Sequence, residues 1–280
     1  MKGIYKSASG AGMLAQRYRE ALESWPVPSE YRRVPTSQGE TFVLACGPEG
    51  APPVLLLHGS SANALNWFAD APTWAGEFRL YAVDLIGEPG LSAPSRPPLG
   101  SADYARWLDE VLDALGLDNV AVVAESLGGW LAVDYATRRP DRVSQLALLC
   151  PGGIGRQKWG PLLIALLLLP FGAWGRRKSM ALLCGTADIP EFALLIQRHY
   201  RPRMEKLPIF DDSALRQLTM PVLVVVGRQD RMFDSAGTQR RLARAVPHAA
   251  VIALSGAGHL LPRQTRAVLE FLRTKGSSNT

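Results

Sequence analysis

Val122-Val123-Ala124-Glu125-Ser126-Leu127-Gly128-Gly129-Trp130 decides the architecture. An apolar run that reads as a strand ends at a serine. Two glycines follow, and then a helical pattern begins. A serine on a sharp strand-to-helix turn has a strained backbone and a hydroxyl pushed out of the sheet. Such a turn leaves no room for bulk two residues to either side. Ala124 and Gly128 occupy those places, so Ser126 reads as a nucleophile presented to a substrate. A plain turn would use the same residue types, and the weight of the reading comes from what surrounds it.

Downstream, Val222-Leu223-Val224-Val225-Val226-Gly227-Arg228-Gln229-Asp230 reads as a buried parallel strand that ends in a loop bearing a carboxylate. Val251-Ile252-Ala253-Leu254-Ser255-Gly256-Ala257-Gly258-His259 reads as a strand followed by a glycine-rich loop that ends in histidine. Ser126, Asp230 and His259 each lie just past the C-terminal end of a strand. In a parallel sheet those ends share one edge, so the three side chains can converge. Ser126 would attack, His259 would carry its proton, and Asp230 would fix the imidazole tautomer. Asp234, on the same loop, is the rival for the acid. Upstream, Val54-Leu55-Leu56-Leu57-His58-Gly59-Ser60-Ser61 is an apolar strand ending in His-Gly. The backbone N–H of Ser60 is expected to pair with that of Leu127 as an oxyanion hole, with Ser61 the next candidate.

With these pieces in order, the chain resembles the α/β-hydrolase family from about Tyr31 to Phe271. The resemblance rests on His58-Gly59, the stretch Asp84-Leu85-Ile86-Gly87-Glu88-Pro89-Gly90-Leu91-Ser92, the Ser126 elbow, Gly227-Arg228-Gln229-Asp230 and Gly258-His259. Within the family the chain is most similar to bacterial carboxylesterase-type hydrolases. It departs from the usual pattern at Ala124, where glycine is usual, and at Glu88-Pro89-Gly90, where a His-Gly is frequent. The second departure lies in a loop expected to line the entrance. The resemblance implies a mostly parallel α/β-hydrolase sheet flanked by helices, with a helical cap insertion.

At 280 residues and 47% hydrophobic, the chain has material for one large core. Cys46, Cys150 and Cys184 show neither metal nor disulfide spacing, which points to reduced thiols in a cytosol. No cofactor and no metal is expected. Lys2 and Lys6 are not followed by the apolar stretch of a secretory signal, and no run reaches the roughly 20 apolar residues of a membrane span. Residues 1–30 read as an N-terminal helical arm, 31–154 and 216–273 as the hydrolase core, and 155–215 as the cap. Tyr31–Val34 and Thr41–Ala45 form an opening hairpin. Strands are expected at Val54–Leu57, Leu80–Val83, Val120–Val123, Leu146–Leu149, Val222–Val226 and Val251–Leu254. Ser101 is expected to cap a helix from Ala102 to Leu115 that Gly116 stops. A polar tail runs from Lys275 to Thr280.

Between Leu149 and Val222 the strand pattern disappears. Leu162-Leu163-Ile164-Ala165-Leu166-Leu167-Leu168-Leu169 is apolar on every side of a helix, so it must be buried on more than one face, or meet lipid or another subunit. From Gly155 to Lys206 there are nine Lys or Arg and three Asp or Glu, an excess of +6 that equals the formal net charge of the whole chain. Pro161 to Trp174, followed by Arg176, Arg177 and Lys178, suits an acyl-binding tunnel, a homodimer interface or peripheral contact with an anionic membrane, and the tunnel is the favoured expectation. Nothing resembles a nucleic-acid reading motif. His58 reads as a structural hydrogen-bonder, His199 and His248 as exposed, and Glu125 has no role readable from sequence.

Three functions fit. The first is a serine hydrolase acting on a small or medium, fairly apolar carboxylic ester through an acyl-enzyme. The second is a carbon–carbon bond hydrolase of a vinylogous diketone, to which Pro151-Gly152-Gly153-Ile154-Gly155 is similar, although Leu260 stands where tryptophan is usual after the histidine. The third is a ligand-binding protein that keeps the three residues but turns over little.

Overall fold

The inner strands form where the chain is apolar on both faces, and the two edge strands are largely exposed. In the computed structural model, which describes residues 3–274, the strands are β1 (Ser29–Thr36), β2 (Gly39–Cys46), β3 (Pro53–Leu57), β4 (Arg79–Val83), β5 (Val120–Glu125), β6 (Val143–Leu149), β7 (Val222–Gly227) and β8 (Ala250–Leu254). Lys2 and the tail Lys275–Thr280 lie outside the described residues. The helices are α1 (Ala8–Glu23), α2 (Ala71–Trp74), α3 (Asp103–Ala114), α4 (Ser126–Arg138), α5 (Trp159–Leu168), α6 (Gly172–Cys184), α7 (Glu191–His199), α8 (Asp212–Leu215), α9 (Ser235–Ala245) and α10 (Thr265–Arg273). All the expected strands are present.

The eight strands lie in the order β1-β2-β4-β3-β5-β6-β7-β8. β2 runs antiparallel to β1 and β4, and every other pairing is parallel. From β3 the chain moves outward to β4 and then crosses back to β5 on the other side. Loops leaving β3 and β5 therefore diverge, which opens a crevice at their C-terminal ends. Residues of the inner strands alternate between two cores. Leu55, Leu57, Val122 and Ala124 join Tyr104, Trp107, Leu108, Val111 and Leu112 of α3 and the inner side of α4. Val54, Leu56, Ala121 and Val123 join Tyr18 and Leu22 of α1, Trp74 of α2 and Val268 and Leu272 of α10. The α3 stripe repeats at helical spacing, and its five side chains supply about 10 kcal/mol of burial before the entropy cost.

Ser101 does not cap α3. The helix begins at Asp103, with Ala102 at the boundary and no side-chain cap; Ser101 Oγ instead accepts the Asp103 N–H at 3.3 Å. The helix does stop at Gly116, whose φ of +70° suits a residue without a Cβ.

The 155–215 insertion contains α5 to α8. Its apolar stretch is not enclosed, contrary to the favoured expectation: within α5 only Ala165 is buried, while Leu163, Leu167, Phe171 and Trp174 are 57%, 73%, 65% and 59% exposed. Nor does the expectation of no membrane-length run hold, because Trp159–Cys184, 26 residues, is long and apolar enough to cross by length and composition. It is not one rod, however. A 3-10 turn at Leu169–Phe171 and Gly172, at φ +64°, break it. α6 folds back on α5 so closely that a methyl on Gly175 would lie 1.9 Å from the Leu168 carbonyl oxygen.

The N-terminal segment crosses to this insertion. Tyr5 and Tyr200 form a β-bridge, Lys6 N–H donates to His199 O and Arg201 N–H to Ile4 O, both at 2.8 Å. Ile4, Leu14, Ile196 and Tyr200 form a small core of their own. His199, expected to be exposed, packs its ring against Gly10 of α1.

Candidate active site

The crevice beside β3 and β5 gathers the three residue types singled out above. Ser126 opens α4 with φ +51°, in the left-handed region where a side chain is strained. The turn is held by close approach. A methyl on Gly128 would come within 2.2 Å of the Leu57 carbonyl oxygen, and one on Gly59 would touch Ser126 Cβ at 3.4 Å. The ends of β3 and β5 are thus pressed together, which carries the loop after His58 up to the serine. The additional methyl of Ala124 is accommodated in the core with no exposure.

Ser126 Oγ lies 2.9 Å from His259 Nε2, and His259 Nδ1 lies 2.8 Å from Asp230 Oδ2. Asp230 Oδ1 accepts the N–H groups of Met232 and Phe233 at 2.6 and 3.0 Å. With Nδ1–H donating to Asp230, Nε2 is free to accept the serine hydroxyl. Asp230 is held below its ordinary pKa: burial pushes it up, but His259 and the two N–H donors outweigh this. For His259 burial disfavours the imidazolium, yet the Asp230 hydrogen bond and charge outweigh this and raise its pKa above 6.5. Phe233 packs edge-on against the imidazole at 5.2 Å. Asp234 does not compete for the histidine. It caps α9, accepting the Gly237 N–H at 3.0 Å.

The N–H groups of Ser60 and Leu127 are the expected oxyanion donors. Among the described residues neither the Ser60 nor the Leu127 N–H has a protein acceptor. Ser61 is excluded as a substitute, because its N–H donates to Glu88 Oε2 at 2.6 Å. Glu88 is therefore not an entrance residue. It is 2% exposed, and Oε2 also accepts the Tyr200 hydroxyl at 2.8 Å, which in turn accepts from Arg96 at 2.6 Å. This buried cluster pins the loop at Ser61, whose φ is +60°, and links it to the end of α7. Sequence reading gave no sign of it, because its members lie far apart in the chain.

His58 is fully buried, its Nδ1 2.8 Å from Gly59 O and its Nε2 accepting Leu85 N–H at 3.0 Å. It is a structural hydrogen-bonder, as expected. His248 is exposed, also as expected. Asn66 donates to Glu125 at 2.7 Å, which anchors the residue before the serine. The reading of three scattered cysteines missed Cys150, whose Sγ lies with Asp230 and His259 in a group of ligand atoms all within 4.8 Å. Burial raises its thiol pKa, so it stays protonated. A groove of 480 Å³ borders Asp230 beneath Ile164 and Leu182. The larger groove, 670 Å³, lies along the N-terminal arm, away from this chemistry.

Residues 54–271 match a family model described as alpha/beta hydrolase family. The chain belongs to this family. This hydrolase is 30% identical to carboxylesterase YbfK of Bacillus subtilis over 276 residues, covering 92% of each chain. It superposes on the crystal structure of naproxen esterase from Bacillus subtilis with a TM-score of 0.83 at 29% identity, covering 96% of this chain and 98% of that one. It is also 30% identical to a 2-hydroxymuconate semialdehyde hydrolase of Pseudomonas putida, over 82% of this chain and 84% of the relative.

Proposed function

We infer that the protein hydrolyses a carboxylic ester of a small or medium, fairly apolar substrate through an acyl-enzyme. The observation that carries this is the hydrogen-bonded chain Ser126–His259–Asp230 at the carboxyl edge of the sheet. Relatives named carboxylesterase and naproxen esterase over nearly the full chain support it.

On this reading the Ser126 hydroxyl attacks the ester carbonyl and His259 Nε2 takes its proton. Asp230 stabilises the imidazolium that forms and holds the ring by Nδ1–H. The oxyanion is received by the N–H groups of Leu127 and Ser60, both fixed before substrate arrives and therefore needing no reorganisation. His259 returns the proton to the leaving alkoxide, and water, activated by the same histidine, releases the acid. Residues 155–215 act as a cap over this edge. Free Cys46, Cys150 and Cys184 fit a cytoplasmic protein.

Ser126→Ala should lower kcat on a chromogenic ester by on the order of 10⁴ or more. Unchanged turnover in that variant would overturn the assignment. A fluorophosphonate should label the wild type at Ser126, and a panel of esters of graded acyl length would then define the substrate. Absence of sustained turnover across the panel would favour a binding protein.

A second reading, carbon–carbon bond hydrolysis, is favoured by the Pro151–Gly155 segment and by the Pseudomonas putida relative. It requires bleaching of a coloured vinylogous diketone at a rate exceeding that of the best ester.

A further inference from the structure

The helical hairpin Trp159–Cys184 concentrates surface that water does not favour. Among the described residues, eight of the fifteen exposed large hydrophobic side chains lie between Trp159 and Trp174. Single exposed apolar side chains are ordinary, but a contiguous patch of this kind marks a binding surface. Its charge is equally one-sided. From residue 156 to residue 187 there are five Lys or Arg, namely Arg156, Lys158, Arg176, Arg177 and Lys178, and no Asp or Glu. Lys6 and Arg201 add to the same edge: the Lys6 pKa is lowered by burial and then by the charges of Arg176 and Arg201. Of these seven only Arg177 has a carboxylate partner among the described residues, the exposed Glu191.

We propose that this hairpin seats the protein on an anionic lipid bilayer, its apolar tip in the acyl–headgroup boundary and its basic edge on the headgroups. Complementary charge selects the bilayer over a second copy of this chain. Two copies meeting tip to tip would set the same unpaired cations against each other, which an interface disfavours. A bilayer rich in acidic headgroups relieves that repulsion and attracts each cation separately. The hairpin dips rather than spans. Its limbs of 10 and 13 residues reach about 15 and 20 Å at 1.5 Å per residue, short of a hydrocarbon core of about 30 Å. Trp159 and Trp174, both exposed, suit the headgroup level, where amphipathic rings settle.

The seat also fixes an orientation. Leu260 N–H donates to Cys184 O at 2.9 Å, and Gly258 abuts Gly185. The base of the hairpin is therefore joined to the loop that carries His259, and the crevice opens beside the lipid.

Co-sedimentation of the full chain with vesicles tests this, using phosphatidylcholine alone and phosphatidylcholine mixed equally with phosphatidylglycerol. Expected are binding to the mixed vesicles, little binding to phosphatidylcholine alone, and release by high salt. Leu167→Asp with Phe171→Asp, and separately Arg176→Glu with Lys178→Glu, should each weaken partitioning by on the order of 100-fold. Both pairs should leave the circular dichroism spectrum and the hydrolysis of a water-soluble acetate ester unchanged, which shows that the fold is intact. The readout stands apart from the hydrolase reading, because Ser126→Ala should bind vesicles as the wild type does. Equal binding to both kinds of vesicle, no binding to either, or wild-type binding by the substituted proteins would overturn the proposal. So would a dimer in sedimentation equilibrium that Leu167→Asp with Phe171→Asp dissociates, which would assign the tip to a second copy.

Discussion

Replacing His58 by glutamine should flatten the acid side of the stability curve. The ring has no exposure, and the bond its Nε2 accepts from Leu85 N–H requires that nitrogen unprotonated, whereas Nδ1–H can donate to Gly59 O in either form. Burial lowers its pKa from 6.5 to about 4. Between those values the unfolded chain binds a proton that the folded chain refuses, so stability falls as the pH falls. Each pH unit below 6.5 costs about 1.4 kcal/mol, or about 2 kcal/mol by pH 5 and about 3 kcal/mol by pH 4. Glutamine does not titrate, and its carbonyl can still accept the Leu85 N–H. Buried Asp84, raised to about 6 by burial, works in the opposite sense: its folded form holds the proton more tightly, so it gains stability as the pH falls. The wild-type curve is therefore a sum, and only the difference from His58→Gln isolates the histidine. Urea unfolding of both proteins at about pH 7 and about pH 5 measures it. The wild type should lose about 2 kcal/mol more than the variant over that interval. Equal losses, within about 0.5 kcal/mol, would refute the assignment of a buried neutral ring.

Asp230→Asn should lower kcat by about 10⁴ through the wrong imidazole tautomer, whereas Asp234→Asn should cost no more than a helix cap, about 1 kcal/mol of stability in thermal unfolding. Ser60→Pro removes a backbone donor and should lower kcat by roughly 10²–10³ with KM little changed, while Ser60→Ala should be near neutral in the same steady-state assay. Glu88→Ala frees Ser61 from its acceptor and should reduce kcat by roughly 10-fold, and Glu88→Gln, which keeps an acceptor oxygen, should restore most of it. Because the base must be neutral and its pKa is raised above 6.5, the acid limb of kcat/KM should lie above pH 6.5 and move down in the residual activity of Asp230→Asn; a limb that stays put would separate it from the His259–Asp230 pair.

The sheet was legible because its inner strands are buried on both faces. Val54–Leu57 and Val222–Val226 carry no polar residue, and such short apolar runs between turns have few other uses. The three polar residues at strand ends were legible for the same reason, since a parallel sheet sends those ends to one edge. Choosing Asp230 over Asp234 needed only distance from the strand. The insertion was opaque. An all-apolar helix specifies that something must cover it, not whether the cover comes from this chain, and Leu167 turns out to be uncovered. Glu88 was equally unreadable: its partners Ser61 and Tyr200 stand 27 and 112 residues away, so no local pattern announces that it supports the loop after β3. Ser101 misled because α3 starts one residue late, at Asp103, which puts Ala102 at the cap position.

The bridge between Tyr5 and Tyr200 bears on how such proteins diversify. Insertions after the sixth strand are commonly pictured as exchangeable modules, free to be swapped while the sheet is inherited unchanged. Here the insertion is stitched to the first residues of the chain by backbone hydrogen bonds and by the Ile4–Leu14–Ile196–Tyr200 cluster. Tyr18 of the same arm donates to Asp84 at 2.8 Å, beneath the loop that carries Glu88. A transplanted insertion would find neither its strap nor its anchor in a new host. Recombination between relatives should therefore succeed when residues 3–23 travel with the insertion and fail when they stay behind. In genetic terms two distant segments make up one heritable unit.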